Sequence, residues 1–388
     1  MRMTIQPDQL RIGLIGVGNM GSFYARELTA GTIPRAVLAA VCDEDPARLA
    51  PWTGVTQYSS AEALLNHPTL DAVLIATPHY AHTTLGIAAL DKGLHVLVDK
   101  PISVHKADAV RLLAAHRNPQ QIFAAMFNQR TDGYFLKIKE LVDAGSLGEL
   151  RRVNWIITNW FRTDAYYASG GWRATWAGEG GGVLLNQCPH QLDMLCWLTG
   201  TPERVDAHCQ FGRYHDIEVE DDVTAYLEYA NGATGVFITS TGEAPGTNRL
   251  ELIGEGGKVV LEADTLHFYR NQTPMSAFSR TTTESFAAPE VSVETYDGLN
   301  HGEQHVGVLK NFVAAILDGA PLIAPAAEGL ASVELANAML LSAFERRPVE
   351  LPIDADAYAK CLQQRIAAST HRKKTAAPSG PSDMKGSF

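Results

Sequence analysis

The chain has 388 residues, 46% of them hydrophobic, and 32 Lys and Arg against 43 Asp and Glu give a formal charge of −11. That length favours two domains, and the apolar content excludes a disordered chain. The acidity argues against nucleic acid or an anionic membrane as partner, since either needs a basic footprint.

The 33 glycines suit an α/β protein with many tight turns better than a helical bundle. No stretch approaches the roughly 20 apolar residues that span a bilayer. The N-terminal MRMTIQPDQLRIGLIG lacks an apolar signal core followed by a small-residue cleavage site. Cysteines 42, 188, 196, 209 and 361 form no CxxC pair and are odd in number. They read as free thiols of a reducing, cytoplasmic compartment.

In chain order, the first third alternates short apolar runs with helical patterns. Leu10–Ile15, Val37–Cys42, Ala72–Ala76, Leu94–Val98 and Phe123–Phe127 predict strands. Met20–Thr29, Ala61–Asn66, His82–Lys92 and Ala107–Ala115 predict the intervening helices. Apolar strands separated by helices specify a doubly wound parallel sheet. After a helix over Tyr134–Ala144, polar–apolar alternation takes over at Arg152–Trp160, Arg204–Phe211, Val223–Tyr229, Thr234–Ser240 and Arg249–Ile253. Alternation of this kind marks antiparallel strands with one packed face. A helix over Val183–Leu198 interrupts them, and helical patterns return at Val306–Leu317 and Pro325–Phe344. The expected division is a dinucleotide-binding domain over 1–130 and an α+β domain over 131–368. Residues 369–388, rich in Pro, Gly and Ser, read as a disordered tail.

Gly16-Val17-Gly18-Asn19-Met20-Gly21 follows directly on the first strand. In such a turn the first glycine permits the bend and the second lets backbone approach a pyrophosphate. The third packs the helix close to the strand, and the helix N-terminus faces the phosphates. Asp43 ends the second strand, 22 residues beyond Gly21. A carboxylate there accepts from the adenosine ribose hydroxyls and repels a 2′-phosphate, which favours NAD over NADP. Arg48 lies close enough to soften that preference.

Thr77-Pro78 and Asp99-Lys100-Pro101 end the next two predicted strands, on the side where open α/β sheets bind ligands. Lys100 there is either near a nicotinamide or a solvated lysine closing a strand. Asn186 and His190, four apart, are expected on one helix face, with Asp193 a turn further, although Pro189 delays or kinks that helix. His190 suits proton transfer, while a lone histidine on an apolar helix is also an ordinary hydrogen-bonded core residue. No third ligand stands at metal-binding spacing, so no metal is expected. Four of the six tryptophans (155, 160, 172 and 176) fall within 155–176 beside Tyr166, Tyr167, Arg162 and Arg173. Aromatic faces with arginines suit a carbohydrate pocket, and equally a domain core or subunit interface.

GVGNMG, TPHYAH (77–82), HVLVDKP (95–101), GSLGEL (145–150) and GGGVLLNQCPHQLD (180–193) together resemble the glucose–fructose oxidoreductase/inositol dehydrogenase/rhizopine catabolism (Gfo/Idh/MocA) family. The resemblance runs from Leu10 to about residue 345. It implies a Rossmann domain followed by a domain with a large open, mainly antiparallel sheet that supports homodimers or homotetramers. Lys100 matches the lysine of the family's Glu-Lys-Pro motif, with Asp99 in place of the glutamate, and His190 matches the catalytic histidine. Asn186 stands where many polyol dehydrogenases carry aspartate; an amide orients a hydroxyl but takes no proton.

The resemblance implies reversible oxidation of a secondary hydroxyl on a sugar, glycoside, anhydrosugar or cyclitol. Gly16, Gly18, Asn19, Met20, Gly21, Asp43, Thr77, Pro78, His82 and Asp99 are the candidate cofactor residues, with Lys100 shared between cofactor and catalysis. Asn186, Arg173, Trp172, Tyr166 and Asn128 are candidates for the substrate. An NAD-dependent glycosidase and a non-catalytic NAD-binding regulator are the alternatives on this fold, and retention of both Lys100 and His190 weighs against the regulator.

Overall fold

In the computed structural model of the protein, residues 9–373 are described. The predicted tail over 374–388 lies outside them. The first strands and helices alternate as β1 (Leu10–Ile15), α1 (Asn19–Thr29), β2 (Ala36–Cys42), α2 (Pro46–Leu49), β3 (Thr56–Tyr58) and α3 (Ala61–Leu65). They continue as β4 (Ala72–Ile75), α4 (His79–Asp91), β5 (His95–Val98), α5 (Lys106–Ala115) and β6 (Phe123–Ala125). The six strands form one parallel sheet in the order β3-β2-β1-β4-β5-β6. Its central strands are mostly apolar because helices cover both faces; Leu14, Val73, Leu74 and Leu97 are all fully buried.

That strand order reverses direction between β1 and β4, and the crevice beyond the carboxyl ends of these strands is where such sheets take ligands. Ile15, Cys42, Ile75, Val98 and Ala125 end β1, β2, β4, β5 and β6 at this rim. The sheet therefore gathers Gly16, Asp43, Thr77, Lys100 and Asn128, far apart in sequence, along one edge.

A 3-10 turn over Asn128–Thr131 leads into α6 (Gly133–Asp143), β7 (Leu150–Ile157), α7 (Asp164–Ala168) and α8 (Pro189–Thr199). Strands β8 (Arg204–Phe211), β9 (Glu220–Glu228), β10 (Thr234–Ser240), β11 (Asn248–Gly254), β12 (Gly257–Glu262) and β13 (Thr265–Asn271) follow. The chain then runs through α9 (Met275–Thr281), β14 (Val291–Asp297), α10 (Gln304–Asp318), α11 (Gly329–Glu345), β15 (Val349–Glu350) and α12 (Ala355–Ala368). The nine strands β7–β15 form a second sheet, in which β7 and β10 are parallel and the other pairs antiparallel.

One face of this sheet is core: Trp155 and Phe237 are 1% and 0% exposed and meet edge to face. Burying side chains of that size contributes roughly 1.5–3 kcal/mol each. The other face is open. Asn154, Ile156, Val236, Ile238, Arg249 and Glu251 line a shallow concavity on it.

Helices from the end of the chain return to the beginning. Val308, Leu309, Phe312 and Val313 of α10 belong to the core under the parallel sheet. Lys106 at the start of α5 pairs with Glu334 of α11 at 2.7 Å. Among the described residues, no helix is long and apolar enough to cross a membrane.

The structure differs from the sequence expectation at α8. Pro189 is its first residue, a position where the missing N–H costs nothing. Residues 183–188 form turns instead, so Asn186 precedes the helix and does not share a helix face with His190. Strands β12–β14, helix α12 and several short elements were not expected from the sequence. Among the missed strands, β14 is an edge strand whose alternate side chains are exposed, so its pattern gains little contrast. Residues 369–373 of the expected tail lie against the body of the protein, with Lys373 donating to the carbonyl of Arg173 at 2.7 Å and to that of Gly170.

A buried ion pair locks α8 to the end of the parallel sheet. Arg130, in the 3-10 turn after β6, makes two parallel bonds to Asp193 at 2.8 and 2.7 Å, and the two side chains are 2% and 1% exposed. Removing one partner of such a pair costs about 3–5 kcal/mol, whereas an apolar replacement of both is better tolerated. Asp193→Ala is expected to lower the unfolding free energy by about that amount in urea titrations followed by circular dichroism. Arg130→Met with Asp193→Leu is expected to lose less; equal losses would contradict the explanation.

Candidate active site

The turn from β1 into α1 depends on two glycines in contact. Gly16 holds φ at +88°, and a Cβ at Gly21 would lie 1.9 Å from the Gly16 carbonyl oxygen. Gly18 precedes α1 without any side-chain cap, whereas Asp45, Ser60 and Asp132 cap α2, α3 and α6. A helix start left without a side-chain cap, next to exposed backbone, is suited to phosphate oxygens. Asp43 stands beside it and accepts from the Val17 N–H at 2.9 Å and the Asp45 N–H at 3.0 Å, with Arg48 3.7 Å away. The glycine cradle, the uncapped helix start and the rim carboxylate fit a dinucleotide.

Further along the rim, Lys100 follows β5 and donates from Nζ to the carbonyl of Asn186 at 2.6 Å. Burial pushes its pKa down and Arg173 adds to that, while Asp99 and Glu179 oppose it. Asp99 is itself braced, accepting from the Tyr24 hydroxyl at 3.1 Å and the Lys100 N–H at 2.8 Å. His82 is 1% exposed, and its two ring nitrogens lie 2.8 Å from the carbonyls of Pro101 and Thr77. It therefore ties the two rim loops together rather than offering a free ring edge. Buried polar atoms here lack protein partners: Thr77 Oγ1 and Asn128 Oδ1, the latter on a side chain whose amide donates to Gln304 at 2.6 Å. Such atoms are satisfied when a polar ligand occupies the crevice.

His190, in the first turn of α8, is 9% exposed, and its Nδ1 is enclosed without a hydrogen-bond partner. Burial pushes its pKa well below the ordinary histidine value, and Lys100 and His305 push the same way. The ring is therefore neutral at neutral pH and able to accept a proton. His305, from α10, is pushed down to about 3 by burial and by Lys100. Asp193 turns away from His190 to Arg130, and among the described residues no group of three or more His, Cys, Asp or Glu side chains could hold a metal ion.

The aromatic cluster divides between core and site. Trp155 and Trp176 are buried in the core of the second sheet. Tyr166, Trp172 and Arg173 remain together, the Arg173 guanidinium lying 4.7 Å from the Tyr166 ring centre and 4.8 Å from that of Trp172. Tyr166 donates its hydroxyl to Asn186 Oδ1 at 3.0 Å and accepts from Arg173 at 2.8 Å. Trp172 also meets His79 edge to face. The segment carrying these residues passes close to both domains through glycines: a Cβ at Gly180 would lie 2.1 Å from Cγ1 of Val104, between β5 and α5, and one at Gly182 would lie 2.0 Å from the Glu220 carbonyl oxygen of β9.

Reading the sequence alone misses Tyr24, His79, Glu179, His305 and Lys373 at this site. Glu179 is the one with a visible signal, an acidic residue directly ahead of three glycines. The others come from helix faces or a terminal segment that only the tertiary fold brings near.

Comparison with known proteins agrees with this architecture. Residues 10–127 match an oxidoreductase family with an NAD-binding Rossmann fold, and residues 135–260 match the GFO/IDH/MocA C-terminal domain. The chain is 30% identical over 262 residues to a myo-inositol 2-dehydrogenase of Thermotoga maritima, covering 64% of this chain and 74% of that protein. It is 26% identical over 352 residues to an inositol 2-dehydrogenase of Rhizobium meliloti, covering 88% and 99%. Among solved structures, the WlbA dehydrogenase of Chromobacterium violaceum, in complex with NADH and UDP-GlcNAcA, superposes with a TM-score of 0.77 at 27% identity, covering 90% of this chain and 98% of that one. With its parallel dinucleotide sheet, its rim lysine and its second, mainly antiparallel sheet, the chain belongs to the Gfo/Idh/MocA oxidoreductase family.

Proposed function

We propose that the protein reversibly oxidises a secondary hydroxyl of a sugar, glycoside, anhydrosugar or cyclitol, with His190 taking the hydroxyl proton. The observation that carries this reading is the buried His190 imidazole, its Nδ1 without a hydrogen-bond partner and its pKa pushed down by burial and by the charge of Lys100, which follows β5 at the sheet's ligand rim. Gly16, Gly18 and Gly21 with the start of α1 hold the pyrophosphate, and Asp43 accepts from the adenosine ribose. NAD, when bound, supplies the hydride acceptor.

Lys100 donates to the reacting oxygen and stabilises the negative charge that develops there as the proton leaves. The same positive charge disfavours protonation of His190 before substrate arrives. Arg173, oriented by the Tyr166 oxygen that accepts from it, donates to neighbouring hydroxyls, and Trp172 presents an apolar face to the ring C–H groups. The Asp43 carboxylate sets NAD above NADP, because like charges brought together cost several kcal/mol.

We also propose that the open face around Ile156, Val236 and Ile238 joins copies of the chain as a homodimer or homotetramer. Tyr226 on the adjacent β9 and Val291 and Val293 on the edge strand β14 are 41%, 48% and 55% exposed, more apolar surface than a sheet leaves to water without use. Sedimentation velocity is expected to give a dimer or tetramer, and a monomer at micromolar concentration would contradict this.

The activity is tested by following NADH formation across inositols, hexoses, anhydrosugars and glucosides, with NAD and with NADP. Accumulation of NADH with at least one of them is expected, and faster with NAD. On that substrate His190→Ala and Lys100→Met are expected to lose about 10²–10⁴-fold in kcat, and NADH titrations are expected to give unchanged binding in His190→Ala. Unchanged turnover in both variants would remove the assignment.

A further inference from the structure

Glu179 lies in the glycine-rich segment ahead of α8 and is 2% exposed. Both of its oxygens are committed. Oε2 accepts from the Ala174 N–H at 2.5 Å, and Oε1 accepts from the side-chain amide of Asn186. A carboxylate only accepts, so Asn186 must turn its NH₂ towards Glu179 and its Oδ1 the other way. That Oδ1 accepts from the Tyr166 hydroxyl at 3.0 Å and from Gln187 at 3.1 Å. The Tyr166 oxygen then accepts from Arg173 at 2.8 Å and from Gln187 at 3.0 Å. The direction of each bond follows from the one before it, starting at Glu179.

The same turn meets the rim lysine, since the Asn186 carbonyl accepts from Lys100 Nζ at 2.6 Å. A buried charge is tolerated only with partners. Burial pushes the Glu179 pKa up, and Arg173, the Ala174 N–H, the Asn186 amide and Lys373 pull it down. We propose that Glu179 is a positioning residue: it fixes the orientation of the Asn186–Tyr166–Arg173 chain and supplies, in addition to Asp99, a second buried negative charge near Lys100. The inference rests on the roles proposed above for Lys100 and for substrate hydroxyls near Arg173.

Glutamine at 179 has one acceptor oxygen for two donors, so either the Ala174 N–H loses its bond or the Asn186 amide reverses. Aspartate at 186 beside Glu179 sets two carboxylates together, and one of them keeps a proton to higher pH. Combining Glu179→Gln with Asn186→Asp restores every donor–acceptor pair: the new amide donates to the new carboxylate, which still accepts from Tyr166.

The test is competitive acetylation of Lys100 by acetic anhydride as a function of pH, read by mass spectrometry on the full-length protein. The groups facing Lys100 are Asp99, Arg173, Glu179, Cys188, His190, His79, His82 and His305, and only positions 179 and 186 are changed. Glu179→Gln is expected to move the Lys100 midpoint to lower pH, and the double variant to return it towards wild type. On the fastest substrate of the panel, Glu179→Gln should lose about 10-fold or more in kcat/KM and the double variant recover to within about 3-fold.

A wild-type Lys100 midpoint in Glu179→Gln that melts as a folded protein would overturn the proposal, as would a double variant no better than the singles. If Glu179→Gln alone fails to fold, the double variant decides: a wild-type midpoint supports the proposal and a lowered one overturns it. If the midpoints follow this cycle while the wild-type protein oxidises no polyol, the functional reading has failed and the placement of Glu179 stands.

Discussion

A lysine ammonium taken out of water needs acceptors, and Lys100 finds its acceptor in the Asn186 carbonyl, 2.6 Å away and 86 residues further along the chain. That bond joins the rim of the parallel sheet to the turn ahead of α8. Around it the balance of charge is set by Asp99 and Glu179 on one side and Arg173 on the other. The next residues along that turn lead to His190, whose ring is kept neutral by burial and by the same lysine. A neutral base near a cation is the arrangement that the proposed hydroxyl deprotonation uses.

The rest of the molecule can be understood as holding that arrangement still. The parallel sheet fixes Lys100 through its position at the end of β5, with Asp99 held by Tyr24 from α1. The second sheet and the Arg130–Asp193 pair fix α8, and with it the buried His190 in its first turn. The glycines ahead of α8 permit the close passage without which Asn186 and Glu179 would stand too far from the rim. The segment over 369–373 adds a last tie, as Lys373 donates to the backbone of the loop that carries Arg173.

The parts of this design carried by local chemistry were legible in the sequence. The glycine turn, Asp43, Thr77 and Lys100 each sit at the end of an apolar strand, and a parallel sheet places all such ends on one rim. His190 and Asn186 were visible as polar residues inside an apolar run, although Pro189 puts only the first of them on the helix. Tyr24 and His305 were not legible, because each lies on a helix whose pattern gives a buried face without saying what it meets. Glu179 stood out as an acid ahead of three glycines but not as a site residue, because a lone acid beside glycines reads as a surface turn until its buried partners are known. In the tryptophan cluster, sequence left core and pocket undecided, and burial separates Trp155 and Trp176 from Trp172.

The claim on which the chemistry turns is that His190 is a neutral proton acceptor beside a protonated Lys100. Its folded pKa lies below the ordinary histidine value, so the ring is competent above that pKa and is lost as a base when pH falls through it. The most direct measurement is the pH dependence of kcat/KM for polyol-dependent NAD reduction. An acid limb well below pH 6.5 is the predicted result. A limb centred at or above 6.5 would contradict it, because the ring would then carry a proton of its own in the free enzyme.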